Sequence, residues 1–235
     1  MRDSHAAALG LALTFLAGCA SSTPYFSGAR TTPSGRADVF LGSAVRAPLG
    51  DIRRNDLTRT DEERSLLTLL GREGVAPVEG ARIGLSDHVD VGVLVSATSV
   101  ALGARRAFVL DEDTRIVLGL TPRMGFLTGD DARGLSFGVD VPAVLALNFA
   151  GIYEVWTGIR AGIDSATGRV GEVTDLSMTG IRAGAVLGVS AGFRTLAVLV
   201  ELAADYEWWR GSVGANASSL SGVVLTPAFA IRIRL

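Results

Sequence analysis

From residue 37 to residue 235, apolar and polar positions alternate with a period of two. In the last segment Val223, Leu225, Pro227, Phe229, Ile231, Ile233 and Leu235 share one face, and Gly222, Val224, Thr226, Ala228, Ala230, Arg232 and Arg234 share the other. The segment before it sets Leu196, Val198, Val200, Leu202, Ala204, Tyr206 and Trp208 against Ala197, Leu199, Glu201, Ala203, Asp205, Glu207 and Trp209. Successive side chains of a β-strand point to opposite faces, so this spacing predicts strands. Ten are read, at about 37–46, 80–86, 89–97, 99–110, 114–126, 135–148, 152–164, 177–193, 195–210 and 219–235.

The period does not say which face is inside. A soluble sandwich or barrel buries its apolar face and shows charge to water. A membrane barrel does the reverse. Glycine separates the two, because it falls on the charged face: Arg115, Gly119, Arg123 and Gly125; Glu154, Gly158, Arg160 and Gly162; Gly180, Arg182, Gly184, Gly188 and Gly192. On an exposed sheet face Gly only weakens the strand. Inside a narrow cylinder it leaves room for long opposing side chains, so the charged face is read as the concave one. Strands of this length match a tilted bilayer span of roughly 9–11 residues. An open edge in lipid would leave backbone groups unpaired, so the sheet must close. The fold class expected is all-β: a closed antiparallel up-and-down transmembrane β-barrel of about ten strands, with eight to twelve possible.

Connections near 86–88, 111–113, 149–151 and 194–195 read as tight turns on the periplasmic side. Those at 47–79, 127–134, 165–176 and 211–218 read as longer outer loops, and the link near 97–99 breaks the alternation by being short. Thr60-Asp61-Glu62-Glu63 is a capping box before an apolar run, which predicts a short helix near 61–71 in the long loop 47–79.

Residues 1–18 read as a lipoprotein signal peptide: Arg2, then an apolar run at 6–16 too short to span a bilayer as a helix. The run ends in Leu16-Ala17-Gly18-Cys19, which resembles the lipobox of bacterial lipoproteins, and Cys19 is the only cysteine. The resemblance implies a chain acylated at Cys19. Ala20 stands where Asp would signal retention in the inner membrane, which favours the outer membrane. Residues 19–36, rich in Ser, Thr, Gly and Pro, read as a lipidated flexible tether. With this lipobox, the hairpin 81–93 and the amphipathic last strand, the chain resembles small bacterial outer-membrane β-barrel lipoproteins, uncharacterised and porin-like. Its last strand departs from the usual assembly signal by ending in Leu235 rather than an aromatic. The resemblance implies contact with outer-membrane lipid and with the barrel-assembly and lipoprotein-sorting machineries.

Composition narrows the rest. There are 24 acids and 22 bases, all of the bases Arg, which gives no case for nucleic-acid binding. One Cys excludes a disulfide framework. No nucleophile elbow, zinc-protease motif or phosphate-cradling loop occurs. His88, the only His after residue 18, lies in a turn beside Asp87 and Asp90 and reads as solvated, so no catalytic residue, metal or cofactor is expected. The inward face collects nine Arg (Arg46, Arg82, Arg105, Arg115, Arg123, Arg160, Arg182, Arg232, Arg234) and seven carboxylates (Asp38, Asp90, Asp140, Glu154, Glu201, Asp205, Glu207). Two readings stay open: a charged channel, or a salt-bridged filling of a narrow barrel. Tyr206, Trp208 and Trp209 are candidates for an aromatic girdle, and Arg106 is turned toward lipid, where it would snorkel.

The function expected is a non-catalytic structural or interaction barrel, or a narrow pore, anchored in the outer membrane. The alternative is a soluble periplasmic lipoprotein barrel or sandwich that binds a small apolar ligand. The sequence names no solute or protein partner.

Overall fold

The computed structural model describes residues 24–26, 28, 30–53, 73–128, 132–170, 174–193 and 195–235. Ten antiparallel strands run in sequence order: β1 Ala37–Leu49, β2 Gly74–Ser86, β3 Val89–Ser96, β4 Ser99–Val109, β5 Thr114–Thr128, β6 Ala132–Phe149, β7 Tyr153–Val170, β8 Thr174–Gly192, β9 Leu196–Val213 and β10 Asn216–Arg234. Each pairs with its neighbours in sequence, and β10 closes on β1, with Asp38 opposite Arg234 and Leu49 opposite Val223. No edge remains, so the ladder satisfies the backbone all the way round.

Orientation follows the glycine argument. Val198, Leu202 and Phe229 are exposed on the outer wall, while Arg160 and Arg182 are each 3% exposed. The opposite arrangement, an apolar interior within a charged shell, is therefore excluded, and the barrel is of the outer-membrane type. Among the described strand residues, charges on the outer face stand near the ends, except Glu79, which is exposed midway along β2. Arg106 stands near the rim that holds Ala37 and Leu235, the proximal rim. Arg133, Arg169, Asp175 and Arg210 stand toward the opposite, distal rim. Elsewhere between them the wall is uncharged: Leu196 to Tyr206 on β9 covers roughly 25 Å along the axis at the usual rise and tilt, the height of a bilayer's apolar band. Arg106 stacks on Phe108 at 4.9 Å and Arg210 on Trp208 at 4.0 Å, so the guanidiniums at both borders lie over aromatic faces.

Several expected boundaries move. The first long connection is 50–73 rather than 47–79, because β1 runs to Leu49 and β2 starts at Gly74; it opens with a 3₁₀ turn, Gly50–Ile52. The helix expected near 61–71 lies outside the described residues, as do the signal peptide and Cys19. The loops expected at 127–134, 165–176 and 211–218 shrink to 129–131, 171–173 and 214–215, since β5 to β10 stay paired past the apolar band. Once a neighbour supplies hydrogen bonds, polar residues such as Arg133, Arg169 and Ser212 extend a strand without an apolar face. The wall is uneven as a result: β3 has 8 residues and β8 has 19.

The largest correction concerns residues 24–36. Those of them that are described are not a free tether but lie inside the barrel, from the proximal rim upward. Ser34 bridges Gly84, the Thr32 amide donates to Asp90 at 2.8 Å, and Tyr25 and Phe26 are 6% and 1% exposed. Pro, Ser, Thr and Gly lack a hydrophobic period, but here lumen carboxylates supply the hydrogen bonds that composition cannot reveal.

Candidate functional site

The interior is organised by one device used repeatedly. On three consecutive strands a long polar side chain, a glycine and an acceptor lie in register, and the outer two join hands over the glycine. Arg123, Gly138 and Asp164 align on β5, β6 and β7. Asp140, Gly162 and Arg182 do so on β6, β7 and β8, and Arg160, Gly184 and Asp205 on β7, β8 and β9. Trp156, Gly188 and Glu201 repeat it on β7, β8 and β9. A β-carbon on Gly162 would stand 3.0 Å from Arg182 Nε, and one on Gly138 would stand 3.0 Å from Arg123 Nε. One on Gly188 would collide with the Trp156 ring. Glycine here is required by close approach.

The pairs are tight. Arg182 Nε donates to Asp140 Oδ1 at 2.7 Å, and its Nη2 reaches Oδ2 at 2.5 Å. Arg160 Nε donates to Asp205 Oδ1 at 2.6 Å, with a second bond from Nη2 to Oδ2. Arg123 Nη2 donates to Asp164 Oδ1. Toward the distal rim Arg46 forks onto Glu207 at 2.9 and 3.0 Å, and Trp209 Nε1 adds a bond to Glu207 Oε2 at 3.2 Å. Above this, Ile52 from the 3₁₀ turn packs with Leu127, Trp209, Val213 and Leu220. Toward the proximal rim Arg234 forks onto Asp38 at 2.6 and 2.8 Å, Arg105 pairs with Asp90, and Arg232 Nη1 lies 3.6 Å from Glu154. Fixed, matched ion pairs of this kind fit a low-dielectric interior, where a charge left alone is strongly destabilising.

Residues 24–36 complete the filling. The Tyr25 amide donates to Glu201 Oε1 at 2.7 Å, while Trp156 Nε1 holds Oε2 at 3.0 Å. Arg82 donates to the carbonyls of Phe26, at 2.8 Å, and Tyr25, and its guanidinium lies 4.8 Å from the Phe40 ring centre. Phe26 stacks on Phe40 at 6.4 Å, and Arg160 lies 5.4 Å from the Tyr25 ring centre. Phe26 has φ +43°, a region that bulky side chains rarely enter; the Arg82 fork and the Phe40 stack hold it there.

The sequence-derived set maps onto this interior. Arg123, Asp140, Glu154, Arg160, Arg182, Glu201, Asp205 and Arg232 are buried in it; Arg82 and Arg234 are half-buried within its proximal half, and Arg115 is half-buried at the start of β5. Asp164 belongs to the same set and was missed, although it shares parity with Arg160 and Gly162. Trp156 was missed too. The proposed girdle divides: Tyr206 and Trp208 face outward, but Trp209 turns inward onto Glu207. His88 is exposed in the β2–β3 turn, where its amide donates to Ser86 Oγ at 3.3 Å.

No known family profile and no curated protein matches the chain. Comparison with solved structures gives matches of low identity. Neisserial surface protein A is 13% identical, covers 86% of this chain and 99% of its own, and gives a TM-score of 0.39. The N-terminal β-barrel domain of Pseudomonas aeruginosa OprF is 9% identical over 87% of this chain and 100% of its own, at 0.35. The outer membrane protease OmpT from Escherichia coli is 9% identical over 91% and 100%, at 0.46.

Proposed function

We propose that this chain is a bacterial outer-membrane lipoprotein, acylated at Cys19, whose barrel is a closed, self-filled scaffold without catalytic activity. The proximal rim then faces the periplasm. The observation that carries the reading is the occupation of the lumen by the chain's own residues 24–36, with Glu201 spent on the Tyr25 amide and Arg82 on the carbonyls of Tyr25 and Phe26. The ion pairs above and below leave the charged wall satisfied internally rather than presented to a solute. His88, the only histidine among the described residues, lies in a turn outside this network, which supports a role without acid–base chemistry.

Planar-bilayer recording on the full acylated chain tests the scaffold reading: no current steps are expected at any applied voltage, and steady ohmic steps would replace it with a narrow pore. Intact mass of the purified protein tests the anchor. A chain beginning at Cys19 with added acyl mass is expected, and Cys19→Ser should abolish both the processing and the added mass. Heat-modifiable gel migration of the outer-membrane fraction tests location.

A further inference from the structure

We propose that the proximal mouth of the barrel carries an anion site, in which Arg30, Arg36 and Arg234 hold a phosphate monoester. The site lies outside the filled lumen. That the anion meets it from the periplasm rests on the orientation given above.

Arg30, Pro33, Arg36, Thr195 and Arg234 line a hollow of about 420 Å³ at this mouth. Its size falls in the range of small-molecule sites, roughly 300–1,000 Å³. Three of the lining residues are Arg, and no acidic residue lines it. Deeper in the lumen Arg105, Arg160 and Arg182 each pair with a carboxylate. The mouth differs. Arg234 gives Nε and Nη2 to Asp38, at 2.6 and 2.8 Å, which leaves Nη1 for a ligand. Neither Arg30 nor Arg36 pairs with a carboxylate among the described residues. The acids beside this stretch are engaged already: Asp38 also accepts from Thr32 Oγ1, Asp90 accepts from Arg105 and the Thr32 amide, and Asp87 faces the Ser34 amide. With the Arg234–Asp38 pair neutral, the lining keeps two uncompensated positive charges. A phosphate monoester carries about −1.5 to −2 at neutral pH, which matches them, and its oxygens suit the planar guanidinium forks. A single carboxylate would leave one guanidinium unbalanced.

The two guanidiniums are carried on a braced piece of chain. Thr31 Oγ1 donates to the Asp87 carbonyl at 2.9 Å. The Gly35 amide donates to the Gly84 carbonyl, and the Gly84 amide to the Arg36 carbonyl, both at 3.1 Å. The Arg36 amide closes a turn on the Pro33 carbonyl at 3.0 Å. Gly84 permits this approach, since a β-carbon there would overlap the Pro33 and Thr32 carbonyls. Arg30 Nη2 lies 3.7 Å from where Gly151, in the β6–β7 turn, would carry a β-carbon, so that turn flanks the guanidinium. Thr195 belongs to the β8–β9 turn, and its carbonyl accepts from the Arg234 amide at 2.9 Å. A lining ordered in advance loses little freedom on binding, unlike loose surface arginines. Phe193, exposed two residues from Thr195, marks the lipid border beside the hollow. Two sources of a phosphate monoester therefore reach it: a soluble ester, and the head group of a lipid such as phosphatidic acid.

The test is calorimetry on the full acylated chain in maltoside micelles, titrated with glycerol 3-phosphate and, as a neutral control, glycerol. Saturable binding of the phosphate ester alone is expected. Arg30→Gln with Arg36→Gln should weaken it about tenfold or more, and Arg36→Gln alone, at an exposed position, about threefold; Arg210→Gln at the other rim should leave it unchanged. Heat-modifiable migration checks that each variant folds. Binding as tight in the double variant as in the native chain, or none up to about 10 mM ester, overturns the site. The same titration in phosphatidylcholine vesicles with added phosphatidic acid, against equal charge added as phosphatidylglycerol, assigns the source. Loss of glycerol 3-phosphate binding with phosphatidic acid alone identifies a lipid head group, and undiminished binding a soluble ester. Ser34→Cys, at an exposed position beside Pro33, tests the side separately. A bulky impermeant maleimide should not label it in intact cells; labelling would overturn the periplasmic orientation and leave the anion site standing.

Discussion

Ile159→Arg separates a lipid-facing wall from a water-facing one. Ile159 is 68% exposed, and its register partners are Ala143 on β6 and Ala185 on β8. It stands six residues above the start of β7, roughly 15 Å up the axis and so near the middle of the apolar band. The nearest outer-face residues along β7, Thr157 and Ala161, carry no charge, so an Arg there finds neither a carboxylate nor a border to reach. In a bilayer the substitution should destabilise by about 2–4 kcal/mol. In water, an exposed Ile→Arg change is worth only a few tenths. Phe193→Arg is the control: Phe193 is 76% exposed and lies in the β8–β9 turn, where the penalty should be about 0–1 kcal/mol. Urea titrations in lipid vesicles, followed by Trp fluorescence, give both values. If Ile159→Arg proves no costlier than Phe193→Arg, the wall does not face hydrocarbon and the membrane assignment fails.

Other outcomes follow from the interior and one turn. Arg160→Met or Asp205→Leu alone should destabilise by about 3–5 kcal/mol, since each leaves a buried charge unpaired, while the double variant should recover most of the loss; additive losses in the same titration would show the pair to be uncoupled. Gly162→Ala should destabilise, although Gly→Ala within a strand ordinarily stabilises, because its methyl would overlap Asp140 Oδ1 and press on Arg182 Nε; a rise in the urea midpoint would refute the bridging role. At the β4–β5 turn, the Asp113 amide at 2.9 Å, followed by Thr114, holds the Asp111 carboxyl below its ordinary range. Its folded value lies below its unfolded one, so its contribution is present at neutral pH and is lost as pH falls through the folded value. The Asp113 and Thr114 amide shifts should therefore titrate below ~3.9, and a midpoint at or above that figure would contradict the turn geometry.

What was legible in the sequence is what parity controls. Arg160, Arg182 and Asp140 could be assigned inward because each shares a face with glycine, and one face of a closed sheet must crowd, whereas Asp205, in a predicted strand without glycine, is placed inward by its charged face alone. Which Arg meets which acid was not legible, because bridging over a glycine joins strands that are not neighbours: Arg182 and Asp140 lie 42 residues apart with β7 between them. Asp164 was lost because β7 was taken to end there, although it extends to Val170. The buried N-terminal run was hidden for a different reason. It has no period, and its only cue was an aromatic pair, Tyr25-Phe26, within an otherwise polar stretch. The expected loops at 127–134, 165–176 and 211–218 were too long because paired neighbours carry Gly, Asp and Ser as strand outside the apolar band.

The glycine bridges also bear on how such a cylinder finds its alignment. Sliding one strand by two residues against its neighbour keeps greasy side chains outside and polar ones inside, so hydrophobicity is blind to the mistake. It would, however, put Met178 or Arg182 where Gly180 belongs, beneath the Trp209 ring, and would part Arg182 from Asp140 at once. Each interior glycine thus acts as a proofreading notch for three staves together, rejecting the very slips that the outer surface would let pass.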